Sequence, residues 1–362
     1  MMKLSIVCFT EAGAGICEKL MKEFLAAGDQ CQGYGPEMLL KSRAAGESMM
    51  PLSPSLKEWT KEQFSEKDGI IFIGAAGIAV RAVAPFLEGK EKDPAVVVLD
   101  DLGHFSISLL SGHLGGANEL AERAAEITGG QAVITTATDN HGSFAVDLFA
   151  KNHGLVLTDI RKIKKVSSAV LKGEKVGFYS DFPVKGELPK GLMMEKDCGV
   201  NFWITVGNEP EKTKEAALRE ALKDALRLVP RILVMGIGCR KGISAQTIEN
   251  AVEQTFLMWN LSLDGLAACA SIDIKKEEAG ICEYADGKGI PFYTFSSQAL
   301  SLVEGEFSAS AFVKQVTGVD NVCERAALAC VKELGGGVLL VKKQALNGVT
   351  IAVAVRDWMI KL

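Results

Sequence analysis

The chain has no C-x-x-C pair. Its nine cysteines are scattered over 362 residues, and none falls with histidine at zinc-site spacing. This argues against a disulfide framework or a structural zinc site, and for a reducing cytoplasm. Histidine is scarce. His104, His113, His141 and His153 are the whole set, and none follows His153, so a cysteine–histidine nucleophile pair within the final third is excluded. Long apolar runs are missing too. The longest, Gly69 to Val80, stops at Arg81, short of the roughly 20 residues a membrane helix needs, so no span is expected. The start, MMKLSIVCFT, lacks the apolar region of a signal peptide and reads as a strand. A basic surplus is absent as well: the net charge is −5, which argues against nucleic acid. The same field repels a polycarboxylate, so an anionic ligand would depend on local helix termini, backbone amides and a few Lys or Arg.

What is present is an α/β pattern in several domains. Apolar strands alternate with helices whose apolar residues recur at helical spacing. Mostly parallel sheets with flanking helices are expected in an N-terminal domain (1–139) and a C-terminal domain (229–362), with a smaller central α/β module (140–228) between them. Leu4 to Phe9 reads as a strand, Thr10 to Gly15 as a small-residue turn without the phosphate-loop signature, and Ile16 to Ala27 as a helix. Gly33 to Pro54 has weak periodicity and reads as loop or a poorly ordered excursion. Gly69 to Ile73 is a strand, and Gly74 to Gly77 leads into a helix with Arg81 on its first turn. Phe105 to Leu110 is the hairpin partner of Ala95 to Leu99, because the connection is too short for a crossover. In the central module, Ser143 to Asn152 and Glu209 to Leu228 read as helices, and Arg161 to Lys165 (RKIKK) as a solvated basic run. Gln315 to Leu334 reads as one helix.

Two stretches carry the chemistry. In LLSGHLGGANELAERAAEITGGQAVITTATD (109–139), polar groups gather at a strand end and a helix start, where open α/β sheets bind ligands. Candidate catalytic residues are His113, Glu119, Asn118 and Asp139. A neutral imidazole is a natural general base, and Glu119 is either a base, an orienter of that imidazole, or simply a carboxylate stabilised by the helix dipole. His141 could approach His113. Candidate substrate contacts are Gly77, Arg81, Ser111, Gly112, Gly115, Gly116, Thr135 and Thr136. The second stretch, VMGIGCRKGIS, follows a strand and opens a helix, but its third glycine comes one residue late for a dinucleotide fingerprint. Asp273 lies more than thirty residues beyond Gly238, too far for the ribose-binding acid. The backbone amides of this stretch, with Arg240 and Lys241 around a helix start, suit a carboxylate or phosphate, or else form a solvated basic turn. Gly236, Gly238, Cys239, Arg240, Lys241, Asp273 and Lys275 are the candidate substrate contacts here.

Taken together, GIAVRAVAPFL, DPAVVVLDDLGHFSISLL, SGHLGGANELAERAAEITGGQAVITTATD, VMGIGCRKGIS, ASIDIKKEEAGICEYA and TGVDNVCERAAL, in this order, resemble the cobalt-precorrin-5A hydrolase family of anaerobic cobalamin biosynthesis. The resemblance implies hydrolysis of a δ-lactone on a cobalt tetrapyrrole, with acetaldehyde released and cobalt-precorrin-5B formed. Cobalt would arrive with the substrate, so no cofactor and no protein metal ligand are expected. Its acetate and propionate arms would be clamped by helix termini and by Arg240 and Lys241. Amides of the Gly115–Gly116 helix start, with Asn118, would stabilise the oxyanion. The reading admits a homodimer and channelling contacts with neighbouring pathway enzymes. Two other classes stay open on the residues alone: a tetrapyrrole-binding protein without chemistry, and a nucleotide-dependent enzyme using the Gly236 loop.

Overall fold

The computed structural model describes residues 1–41, 49–89, 92–113, 115–136 and 144–362. They form two compact units, Met1–Leu148 and Phe149–Leu362, and the elements are mixed α/β throughout.

In the first unit, β1 (Lys3–Cys8), α1 (Glu11–Ala26), β2 (Gln30–Gly35), α2 (Glu37–Lys41), β3 (Met50–Pro51), α3 (Leu56–Glu66), β4 (Gly69–Ile73), α4 (Ala76–Val83), β5 (Ala95–Leu99), β6 (Phe105–Leu110), α5 (Ala117–Thr128) and β7 (Gln131–Val133) follow one another. The described strands form one sheet in the order β3-β2-β1-β4-β5-β6-β7. Both of its faces are covered, so its inner strands are apolar at nearly every position instead of alternating. Leu4, Ile6 and Cys8 of β1 pack with α1 and α5, while Val7 packs with Trp59 of α3 and Ala79 and Val83 of α4. From β3 to β5 the strands are parallel. β6 then returns antiparallel to β5, with Val96 opposite Leu110 and Leu99 opposite Ser106, as the short connection requires. β7 runs parallel to β6.

The stretch expected as loop from Gly33 contains the second half of β2, together with α2 and β3. Gly33 explains the difference. A Cβ there would lie 2.4 Å from Met21 Sδ and 2.7 Å from Cys17 Sγ, so the glycine that suggests a loop is what lets α1 lie against the strand.

The second unit carries the sheets that the sequence assigns to the central and C-terminal modules. After α6 (Val146–Asn152) come β8 (Leu155–Leu157), α7 (Ile160–Leu171), β9 (Val176–Ser180), β10 (Val184–Lys185), β11 (Leu192–Met194), β12 (Asn201–Ile204), α8 (Ala216–Lys223) and β13 (Leu226–Pro230). The sheet order is β11-β9-β12-β13-β8, with stacked Phe178 and Phe202 in its core. The RKIKK run opens α7, whose buried face is Ile163, Val166 and Ala169. The helix expected to reach Leu228 ends at Lys223. Leu226, Leu228 and Val229 are buried in a strand between β12 and β8, and that burial overrides the local helical pattern.

The last sheet is built from β14 (Leu233–Cys239), α9 (Ala245–Met258), β15 (Leu266–Ile272), α10 (Ala279–Lys288), β16 (Phe292–Phe295), α11 (Ser297–Ser301), α12 (Ala311–Thr317), α13 (Cys323–Glu333), β17 (Gly337–Leu346) and β18 (Val349–Arg356), in the strand order β16-β15-β14-β18-β17. β14, β15 and β16 are parallel, and β18 and β17 form an antiparallel hairpin. The helix expected over 315–334 is two helices, because Gly318 at φ +81° closes α12 in the left-handed region. Finally, β19 (Ile360–Lys361) pairs with β10.

Candidate active site

The Ser111–Gly116 turn is fastened chiefly to itself. Ser111 Oγ donates to the Asp93 carbonyl at 2.9 Å. The amides of Gly116, Ala117 and Asn118 donate to the carbonyls of His113, Ser111 and Gly112 at 3.1, 3.1 and 3.0 Å. Asn118 Oδ1 accepts from Ser108 Oγ at 2.6 Å, and its Nδ2 donates to Thr136 Oγ1 at 3.0 Å. The glycines make room for these bonds. A Cβ on Gly112 would lie 2.7 Å from Asn118 Oδ1, and one on Gly115 would lie 2.4 Å from Ser111 Cβ. Gly116, at φ +85°, and Ser111, at φ +59°, both adopt the left-handed backbone. The oxyanion expectation changes accordingly. The Gly116 and Asn118 amides already close the turn, and both ends of the Asn118 side chain tie β6 to the segment after β7. Asn118 thus holds the turn in place. His113 is half-buried, Glu119 and Thr135 are exposed, and Thr136 is half-buried. Asp139, Thr138 and His141 lie outside the described residues.

Gly77 and Arg81 are not part of this cluster. Because β6 runs against β5, the Ser111 turn sits at the edge where β1, β4 and β5 begin. The Gly74–Gly77 turn sits where β4 ends, at the opposite edge, and there exposed Arg81 donates to the Gly77 carbonyl at 3.1 Å. The chain order also reverses between β1 and β4, so the crevice that open α/β sheets use for ligands falls on the Gly74 edge.

In the second unit, Gly238 to Lys241 lie at the end of β14 and Asp273 and Lys275 at the end of β15, with Gly236 in the middle of β14. A Cβ on Gly236 would come 1.8 Å from the Cys323 carbonyl, and one on Gly238 would come 2.7 Å from Thr350 Oγ1. These two glycines let α13 and β18 approach the strand. Beyond them, Arg240 and Lys241 are exposed. The Arg240 amide donates to the Gly348 carbonyl at 3.1 Å, and the Gly242 amide to Glu278 Oε1 at 2.6 Å. Asp273 is exposed at the end of β15. Lys275, expected to face substrate, instead pairs with Glu278 Oε2 at 2.6 Å, their side chains only 14% and 9% exposed. That hydrogen bond from Lys275 holds the Glu278 carboxyl below its usual range. Burial pushes the neighbouring Cys239 thiol up, against the opposing influence of the Lys275 ammonium. Cys239 is half-buried beside this pair, poorly set up as a nucleophile.

Sequence reasoning gave no role to Glu278, although it lies in the quoted KKEEAG segment. It also gave none to the polar residues of TGVDNVCERAAL. Glu324, fully buried, accepts from the Ser308 amide and hydroxyl at 2.8 Å each and from the Lys343 amide at 2.7 Å. Arg325 donates to the Leu300 and Val303 carbonyls at 3.1 and 2.9 Å. Both fold the segment before α13. The available signal was a Glu-Arg pair entering an alanine- and cysteine-rich helix.

The fold and site define an α/β protein with glycine turns at its strand ends, one of them bearing two exposed cations. Three consecutive regions match known families: residues 58–139 match Cobalamin synthesis G N-terminal, 144–219 match Cobalamin biosynthesis central region, and 233–354 match Cobalamin synthesis G C-terminus. The cobalt-precorrin-5A hydrolase of Priestia megaterium is 31% identical over 97% of this chain and 94% of its own. That of Salmonella typhimurium is 31% identical over 97% of both chains. The crystal structure of a cobalamin biosynthesis protein G homolog from Sulfolobus solfataricus covers 98% of this chain and 97% of its own, at 21% identity and a TM-score of 0.40. The chain belongs to the cobalt-precorrin-5A hydrolase family.

Proposed function

We propose that this protein hydrolyses the δ-lactone of cobalt-precorrin-5A, releasing acetaldehyde and leaving cobalt-precorrin-5B. The observation that carries the reading is identity of 31% to hydrolases of that name across 97% of the chain, with no module missing. Cobalt enters as part of the substrate. Among the described residues, no group of three or more His, Cys, Asp or Glu side chains is placed to hold a metal ion.

In this reading the Ser111–Gly116 turn is a rigid mount. Its self-bonded backbone and the Asn118 ties hold His113 and Glu119 at the start of α5, where one of them takes a proton from water as it attacks the lactone carbonyl. The protonated base returns that proton to the ring oxygen as the acyl–oxygen bond breaks. The base so regenerated then removes the proton of the freed alcohol as the carbon–carbon bond breaks, the electron pair of that bond passing to the macrocycle. Asp139 is a further candidate for that proton. Arg240 and Lys241 hold a carboxylate arm of the substrate. Arg81 and Gly77, at the other edge of the first sheet, are assigned to binding and not to chemistry. A cytoplasmic setting, a homodimer and channelling to neighbouring pathway enzymes belong to the same proposal. No helix among the described residues is long and apolar enough to cross a membrane.

The test is anaerobic incubation of the protein with cobalt-precorrin-5A, followed by mass spectrometry for loss of a two-carbon unit and an assay for acetaldehyde. Loss of the general base should slow release by about 10²–10⁴. At least one of His113→Ala and Glu119→Gln is therefore expected to fall by that much. Unaltered rates in both would remove the turn from the chemistry.

A further inference from the structure

Glu278 occupies the N-cap position of α10, yet its side chain makes no bond to its own helix. A carboxylate there ordinarily satisfies the helix's orphan amides. This one turns outward. One oxygen accepts from the Gly242 amide and the other from the Lys275 ammonium, both at 2.6 Å. Gly242, at φ +78°, is the left-handed hinge of the turn that carries Arg240 and Lys241. The start of α10 presses on that turn a second time: a Cβ on Gly280 would lie 2.0 Å from the Ile243 carbonyl. Across the turn, the Gly348 carbonyl holds the Arg240 amide, and the Arg240 side chain packs against Gly348. The two exposed cations therefore stand on a backbone clamped from both sides, and Glu278 is the carboxylate that ties Gly242 and Lys275 together in the clamp.

We infer that Glu278 is the positioning residue of a carboxylate-binding turn. Its two oxygens fix Gly242 and Lys275 so that Arg240 and Lys241 meet a substrate carboxylate in a preset geometry. The inference rests on the reading that Arg240 and Lys241 bind substrate. Lys275 belongs to the clamp and not to the binding surface, because its charge is spent on Glu278. A preset turn lowers the ordering cost of binding, so its loss should appear in KM more than in kcat.

The experiment uses the full chain with Glu278→Gln, which keeps an acceptor for Gly242 and removes the charge that holds Lys275. KM for cobalt-precorrin-5A should rise about tenfold with kcat changed less than about twofold. A second readout does not depend on substrate. The released Lys275 ammonium faces the Cys239 thiol, so the midpoint of Cys239 alkylation by iodoacetamide against pH, followed peptide by peptide, should move to lower pH. Adding Lys275→Gln to the variant should return it upward. A merely loosened structure relieves the burial that raises the thiol and would also move the midpoint down, but adding Lys275→Gln would then not return it upward, and that result overturns the inference. So does an unmoved KM in Glu278→Gln when Arg240→Ala and Lys241→Ala each raise it. If those two substitutions leave KM unmoved, the binding reading itself fails, whatever the Cys239 midpoint does.

Discussion

At the scale of the residue, the second unit depends on a few charges placed where water is scarce. Removing one partner of a buried ion pair leaves the other uncompensated, typically at about 3–5 kcal/mol. Glu278→Ala should lower the urea stability of the protein by that order and Glu278→Gln by less, which equilibrium unfolding would read. The pH dependence follows from the sign of the shift. Glu278 is held below its usual range in the folded state, so its contribution is fully present above the unfolded value of about 4.3 and fades as pH falls through the folded one. Wild type should therefore lose part of its advantage over Glu278→Gln in acid titrations below about pH 4. The sequence made some of this legible. Arg240 and Lys241 beside glycine read as an exposed cation pair, and they are exposed. Lys275 read the same way and is not, because nothing in KKEEAG says which of two adjacent glutamates folds back onto it. Gly236 and Gly238 read as ligand glycines, but their missing side chains are accounted for by α13 and Thr350.

At the scale of the element, the turn between β6 and α5 is held by one side chain more than by its glycines. Asn118→Ala should cost about 1–3 kcal/mol, since it leaves half-buried hydroxyls of Ser108 and Thr136 without their shared partner. Hydrogen exchange of residues 111–118 should rise in that variant while α1 stays protected. Existence and type of the strongly periodic elements were readable: β4, β5, β6, α5, β14 and α9 lie where apolar spacing puts them. The failures share a cause. β2 carries glycine because a helix lies on it, and β13 carries a helical pattern because its neighbours, not its own propensity, decide its state. Even the antiparallel return of β6 was legible from a short connection. Its consequence, a catalytic candidate and Arg81 at opposite edges, needed the strand order.

At the scale of the whole molecule, the chain's last residues are stitched to the central sheet's surroundings. The Ile360 amide donates to the Pro183 carbonyl at 3.0 Å, the Leu362 amide to the Lys185 carbonyl at 2.7 Å, and Trp358 meets Phe182 edge-on at 5.3 Å. His153 approaches the Lys361 carbonyl at 2.6 Å. Ile360→Pro removes the first of these donors. Exchange at Val184 to Gly186 should then rise at least about tenfold, which is roughly the loss of one hydrogen bond's net worth. An unchanged exchange pattern would mean that the tail contributes nothing to the order of that segment. No periodic signal announced this pairing, because two-residue strands are too short to show a period of two.

The reversal at β6 also has a thermodynamic corollary. Five residues of β5 at about 3.3 Å each put roughly 15 Å between the Gly77 and Ser111 turns. Substitutions that far apart and without shared partners normally contribute independently, within about 0.3–0.5 kcal/mol. A double-mutant cycle between Gly77→Ser and Ser111→Ala should therefore close near zero for folding. If the same cycle, run on substrate affinity, returns a non-zero coupling energy, the ligand itself is the wire between the two edges, and the size of that coupling measures how much of its binding spans them.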